Sequence, residues 1–429
     1  MGVELDRAAL ELFLRLVGGL HLLQAALIVT RARLLFLSER WGGYAGNGRL
    51  DRVVGSPAGL LISSVLWVSA CVGLIAQRAV VASASVLVLI GYHHFVRGRW
   101  TSVARGCGAP GFVTAWLSWA SLLLALVLSG SLPRPELLAW TLIVEFALIF
   151  LVAGYYKSRS GYRSGRGVHL GLINPHWSYA PRLWRRVGSR SPLIRLLDLY
   201  GWVGELVGAA LILVPATRTI GAAILAAMFI ALIPLIRLGA LPVAVLLQCL
   251  LVVLLADDSL ARSIRAWLVP GAGTPVESGT AVPASVLVTV VVAYLTLVLL
   301  GYGGMLANLF AAWRPHPRVQ RALDRVTNRL GLILWRVFTS DVTGFHIRIL
   351  AVLEDGSVRP LPAWGGSPWH RFGDVTEAIA VTTVFTSRRY FPGRREIFEG
   401  RLRRYARTLP GDAVAHRFEY WTIEPDVEG

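Results

Sequence analysis

Apolar residues in this chain fall in long unbroken runs rather than in alternation. Nine runs stand out, roughly 8–30, 58–76, 80–95, 112–132, 137–155, 196–214, 220–236, 238–256 and 284–310. A helix needs about 20 mostly apolar residues to cross a bilayer. Backbone in hydrocarbon must satisfy its own hydrogen bonds, so runs this long predict spanning helices rather than barrel strands. The third and sixth runs carry the weakest patterns. After Phe310 the pattern changes: a basic stretch predicts a juxtamembrane helix, and a tail of mixed periodicity follows. Residues 345–353 alternate weakly and meet Glu354-Asp355-Gly356-Ser357, a hairpin signal. Residues 393–409 show helical spacing and 414–423 read as a closing strand. The expected fold is an all-α polytopic membrane helix bundle of about nine transmembrane helices, residues 1–313. A juxtamembrane helix and a small soluble α+β domain occupy 314–429.

Composition agrees with that class, because 55% of residues are hydrophobic and only 16% are charged. The first run is too long for a signal-peptide core, follows the acidic Glu4 and Asp6, and lacks a small-residue cleavage site, so it is expected to remain in the protein. Cys71, Cys107 and Cys249 lie far apart and offer neither metal spacing nor an obvious disulfide. No metal site is expected.

The net charge of +18 sits mainly in loops and tail and does not point to nucleic acid. Its distribution bears on orientation. Residues 31–57 carry five Arg against two acids, 97–111 carry three Arg, and 156–195 carry nine cations and no acid. The alternate loops are less basic. By the positive-inside rule, nine crossings put the N-terminus outside and the C-terminal domain in the cytoplasm, in a multi-pass protein of the cell membrane.

Several polar residues interrupt the apolar runs. The first run holds Glu11, Arg15, His21 and Gln24, and the third ends in His93-His94. Adjacent histidines on a helix point about 100° apart and make a poor ligand pair for one metal. Glu145 and Glu205 each cost roughly 2.5–3.5 kcal/mol at mid-membrane if left in lipid, so both are expected to face protein. Lys+Arg total 43, and Lys157 is the only lysine. A lysine amine can lose its proton in an apolar or cationic setting, whereas arginine cannot, so a lone lysine in an arginine-rich chain is a candidate base. Arg159, Arg163 and Arg166 would add like charge if they face the same pocket. On a continuous helix Glu145 lies about 18 Å from Lys157 along the axis, which leaves Glu205, behind Gly201-Trp202-Val203-Gly204, as the expected partner. The loop after Lys157 is rich in donors and aromatics, among them Arg159, Tyr162, His169, Asn174, His176 and Trp177, and Tyr156 stands just ahead of the lysine. The loop reads either as an interfacial aromatic belt with cationic anchors or as a pocket for an anionic or quinone-like group.

Two stretches carry a resemblance. The helix ending in AGYYKSRSGY and the segment ILWRVFTSDVTGFHIRILAVLEDGS resemble the vitamin K-dependent carboxylase-like superfamily, which includes the bacterial HTTM (horizontally transferred transmembrane) proteins. There a helix ends near a Gly–aromatic–Lys step, and a Trp-x-x-Phe element leads into a strand and an Asp-Gly turn, matched here by Trp335, Phe338 and Asp355-Gly356. The resemblance implies a quinol-linked membrane enzyme with Lys157 as base, Glu205 beside it, and a reduced quinone (menaquinone or vitamin K-like) as cofactor held by the loop residues. The tail is shorter than the carboxylases' lumenal portion, and the charge bias puts Lys157 on the cytoplasmic side. A non-enzymatic membrane protein, either a transporter or a lipid- or quinone-binding partner subunit, is the alternative, with Glu145, Glu205 and His21 as a proton path. The bilayer is the expected surrounding, and no protein partner is indicated.

Overall fold

A computed structural model describes residues 5–29, 53–54, 56–97, 108–164, 167–270, 274–276, 282–310, 316–332, 343–361, 382, 384–385, 395–406, 409 and 411–423. Each of the nine apolar runs forms a helix: α1 (Arg7–Val29), α2 (Pro57–Ile75), α3 (Val80–Gly91), α4 (Gly108–Leu128), α5 (Pro135–Arg159), α7 (Pro192–Leu213), α8 (Arg218–Leu232), α9 (Leu241–Leu255) and α11 (Ala284–Phe310). Between them lie α6 (Val168–Ile173) and α10 (Ser259–Leu268), and α12 (Pro317–Leu330) follows the last. The chain is thus an integral membrane protein in which, among the described residues, seven helices are long and apolar enough to cross a bilayer. The two shorter apolar helices cover Val80–Val96 and Leu241–Leu255. The weak sixth run turns out long, because the helix begins earlier at Pro192. The third is short and changes pitch, with Tyr92–Arg97 forming π-helical turns.

Local chemistry fixes several helix starts. Ser56 and Ser191 cap α2 and α7 by accepting the N–H of Gly59 and Ile194, each with proline at the first helical position. Asp258 caps α10 in the same way through the Ala261 N–H. That short helix is not among the elements the sequence pattern predicts.

Contacts between connecting segments define two ends of the bundle. At one end Arg7 donates to Leu128 O at 3.0 Å, its backbone N–H reaches Thr274 O, and Thr219 donates to Asp258 at 2.7 Å. At the other, Arg237 N–H donates to Trp177 O at 2.6 Å, and the C-terminal unit docks on the 167–178 segment. That unit is an antiparallel sheet in the order β2-β1-β3, with β1 Phe345–Val352, β2 Val358–Pro360 and β3 Ala415–Thr422, accompanied by α13 (Arg395–Ala406). The hairpin, the helix and the closing strand all lie where the pattern predicts them. Phe345, Ile347, Val384, Phe385, Tyr405 and Leu409 form its core and reach Leu60 of α2.

Several sequence readings fall outside the described residues: Trp335 and Phe338, Cys107 and Arg166.

Candidate functional site

Helix α5 runs unbroken to Arg159, which carries Lys157 into its last turn. Helix α7 crosses it closely at Gly154, where an added Cβ would sit 2.8 Å from Leu206 Cγ and 2.9 Å from Trp202 O. Small residues let helix backbones approach in membranes, and this approach brings Glu205 to the lysine. Lys157 Nζ donates to Glu205 Oε1 at 2.5 Å, with the side chains 6% and 1% exposed. The expected pairing is therefore present.

Tyr162 covers the pair, with Lys157 Nζ 5.6 Å from its ring centroid. The ring lies in a slot that only glycine leaves open: a Cβ on Gly167 or Gly201 would sit 2.6 Å or 3.0 Å from its carbons. Asp198 precedes Glu205 by seven residues, two helical turns, and so shares its face. Asp198 Oδ1 accepts the Val168 N–H at 2.6 Å and ties down the start of α6. Burial, and after it the Glu205 and Asp198 carboxylates, raise Tyr162 well above the ordinary phenol range, so it remains a hydroxyl. Among the described residues, Glu205 Oε2 and Asp198 Oδ2 are buried without a hydrogen-bond partner. Two buried carboxylate oxygens without partners favour a ligand that brings hydrogen-bond donors.

The other loop residues divide into separate sets. Tyr156 is buried in the bundle. Arg159 and Arg163 are exposed and lie over the Tyr155 and Trp202 rings at 5.7 Å and 5.1 Å, so they add no like charge beside the buried pair. His169 Nε2 donates to Val187 O at 2.9 Å and holds the following loop. Trp177 is buried, and its carbonyl accepts from Arg237.

Asn174 and His176 grip the C-terminal sheet. Asn174 Nδ2 donates to Thr343 O and Phe345 O at 2.8 Å each, and Asn174 Oδ1 accepts the His176 N–H. His176 Nε2 accepts the Ile347 N–H at 3.2 Å. Strand β2 pairs with β1 only at 350–352, so these two side chains satisfy the stretch of the same β1 edge that β2 leaves bare. A backbone N–H can only donate, so His176 is neutral with its proton on Nδ1. Burial, then His346 and Arg237, push it down to about 3.

The remaining intramembrane polar groups have their own partners. Tyr294 of α11 donates to Glu145 Oε1 at 2.6 Å. His21 Nδ1 accepts from the Trp67 indole at 3.2 Å, and its Nε2 lies 2.9 Å from Ser118 Oγ, which donates onward to Thr114 O. Since an indole only donates and Ser118 has spent its proton, His21 must carry its proton on Nε2. Both ring nitrogens have partners, and neither Glu145 nor Glu205 is among them. Sequence reasoning missed Asp198 and Tyr294. The signal for Asp198 was its seven-residue offset from Glu205, whereas nothing local marks Tyr294.

Compared with known protein families, with characterised proteins and with solved structures, the chain matches none of them.

Proposed function

We propose that this chain is a quinol-linked membrane enzyme of the vitamin K-dependent carboxylase-like (HTTM) type, with the Lys157–Glu205 pair as its proton-transfer centre. The single observation that carries the reading is a fully buried Lys–Glu pair whose carboxylate keeps one bare oxygen. A reduced quinone, when bound, supplies a hydroxyl proton and two electrons. Glu205 Oε2 suits a hydroxyl donor, and the Tyr162 ring beside Lys157 offers an apolar face to the quinol ring. With the shared proton on Glu205, the Lys157 amine has a free electron pair and accepts a proton at Nζ. With it on Nζ, the pair is closed. Arginine keeps the charge and removes the base. Lys157→Arg therefore inserts normally but loses quinol-dependent turnover in menaquinol-loaded proteoliposomes, as does Lys157→Met. Full turnover by Lys157→Arg would remove the base role, and a parent chain without quinol-dependent turnover would favour the non-enzymatic reading.

We also infer nine crossings with the C-terminal sheet on the cytoplasmic side. Arg7 and Leu128 O are separated by α1 to α4 and can meet only if the short α3 crosses. Thr219 and Asp258 are separated by α8 and α9 and meet only if α9 crosses. The 15 residues of α9 span only about 22 Å, but most are buried among neighbouring helices rather than facing lipid.

A further inference from the structure

Helix α12 leaves the last membrane helix and folds back against it. His316 caps its start by accepting the Arg318 N–H, and Gly331 ends it in the left-handed conformation. One stripe meets the bundle: Leu323 lies against Gly304, and Thr327 with Leu332 against Gly301, where an added Cβ would sit 3.1 Å, 3.2 Å and 2.6 Å from them respectively. At about 100° per residue, Leu323, Thr327 and Leu330 fall within about 60° of one another. Arg318, Arg321, Arg325 and Arg329 fall within an arc of about 80° centred opposite that stripe, and all four are exposed. The two flanks differ. Gln320 occupies one. Ala322, Val319 and Val326 occupy the other, with Val319 46% exposed.

This four-sector arrangement suits a helix at a membrane–water boundary. The packed stripe fixes it to the protein, the apolar flank borders acyl chains, the polar flank meets water, and the arginines stand at headgroup level between those flanks. The position agrees, because Gly331 next to the helix contacts Val96 and Phe112, at the ends of the third and fourth membrane segments.

We propose that the arginine face of α12 is a binding surface for anionic phospholipid headgroups. The apolar flank beside the arginines selects a lipid over a soluble polyanion, which would leave Val319 and Val326 in water. Juxtamembrane arginines next to an anionic surface contribute roughly fivefold each in affinity.

The test reconstitutes the full chain in nanodiscs made from an equal mixture of phosphatidylcholine and phosphatidylglycerol. Native mass spectrometry then counts the lipids that stay bound after ejection. The intact protein retains phosphatidylglycerol preferentially. Arg318→Gln/Arg321→Gln/Arg325→Gln/Arg329→Gln loses that preference by tenfold or more, while the corresponding four-lysine variant keeps most of it, because the charge remains. Circular dichroism and size-exclusion profiles matched to the parent show that the variants are folded. An unchanged preference in the four-glutamine variant overturns the proposal. So does displacement of the bound lipid by inorganic phosphate or by a short DNA duplex, which would mark the face as a general anion site.

Discussion

Replacing Lys157 by methionine leaves a buried carboxylate with two bare oxygens instead of one. At 2.5 Å and an effective dielectric constant of about 20, the attraction between the two charges is about 7 kcal/mol. Desolvation of each ion costs several kcal/mol and offsets most of it. The pair as a whole therefore contributes little net stability, whereas removing one partner leaves the other's desolvation uncompensated, at about 3–5 kcal/mol. Lys157→Met and Glu205→Leu should each lose about that much. Lys157→Met/Glu205→Leu, which puts an apolar pair of similar volume in the same space, should return to within about 1 kcal/mol of the parent. The assay is reversible unfolding in mixed micelles followed by tryptophan fluorescence, analysed as a double-mutant cycle. Single losses below about 1 kcal/mol, or a double variant as unstable as the sum of the singles, would show that the two groups are not a buried contact pair.

Docking of the C-terminal sheet should depend on pH through His176. The docked ring stays neutral down to about 3, and its ordinary value is 6.5. Docking is therefore complete above about pH 6.5 and weakens as the pH falls toward 3, by about 1.4 kcal/mol per unit. Hydrogen exchange at Ile347 should report this, and His176→Asn should flatten the profile. A profile unchanged in His176→Asn would assign the dependence elsewhere. Gly221→Ala should cost about 1–3 kcal/mol, because its Cβ would meet backbone atoms of Gly208 and Ile212. Gly303→Ala, with open space around it, should be neutral or slightly stabilising in the same unfolding assay. Alkaline phosphatase fused after Gly429 should be inactive, and high activity in a stable fusion would reverse the orientation.

The helices of the bundle were legible because hydrocarbon imposes one rule over some 20 residues at a time, and each of the nine apolar runs forms a helix, seven of them among the described residues long enough to cross a bilayer. The Lys157–Glu205 contact was legible for a related reason: two isolated ionisable residues in adjacent segments need partners, and Glu145 lies too far along the same helix. The aromatic loop was read less well. Asn174 and His176 have the composition of a ligand pocket, yet they satisfy the bare edge of β1, a strand some 170 residues away, and no local pattern encodes that pairing. Helix α10 was missed although Leu260, Ile264 and Leu268 recur at helical spacing behind Asp258, because its ten residues are far too few to cross a bilayer and the search was for long apolar runs. The π-helical turns at Tyr92–Arg97 had no precursor in the pattern at all.

The central claim is that the buried pair holds a reduced quinone, and the most direct measurement is of what the protein carries. Chain purified in mild detergent from quinone-containing membranes is extracted and its isoprenoid quinones are quantified by liquid chromatography and mass spectrometry, beside Glu205→Leu and a membrane protein without a quinone site. The account predicts near-stoichiometric quinone with the parent chain and background levels with Glu205→Leu. Quinone at background in the parent, or equal amounts in parent and variant, would contradict it.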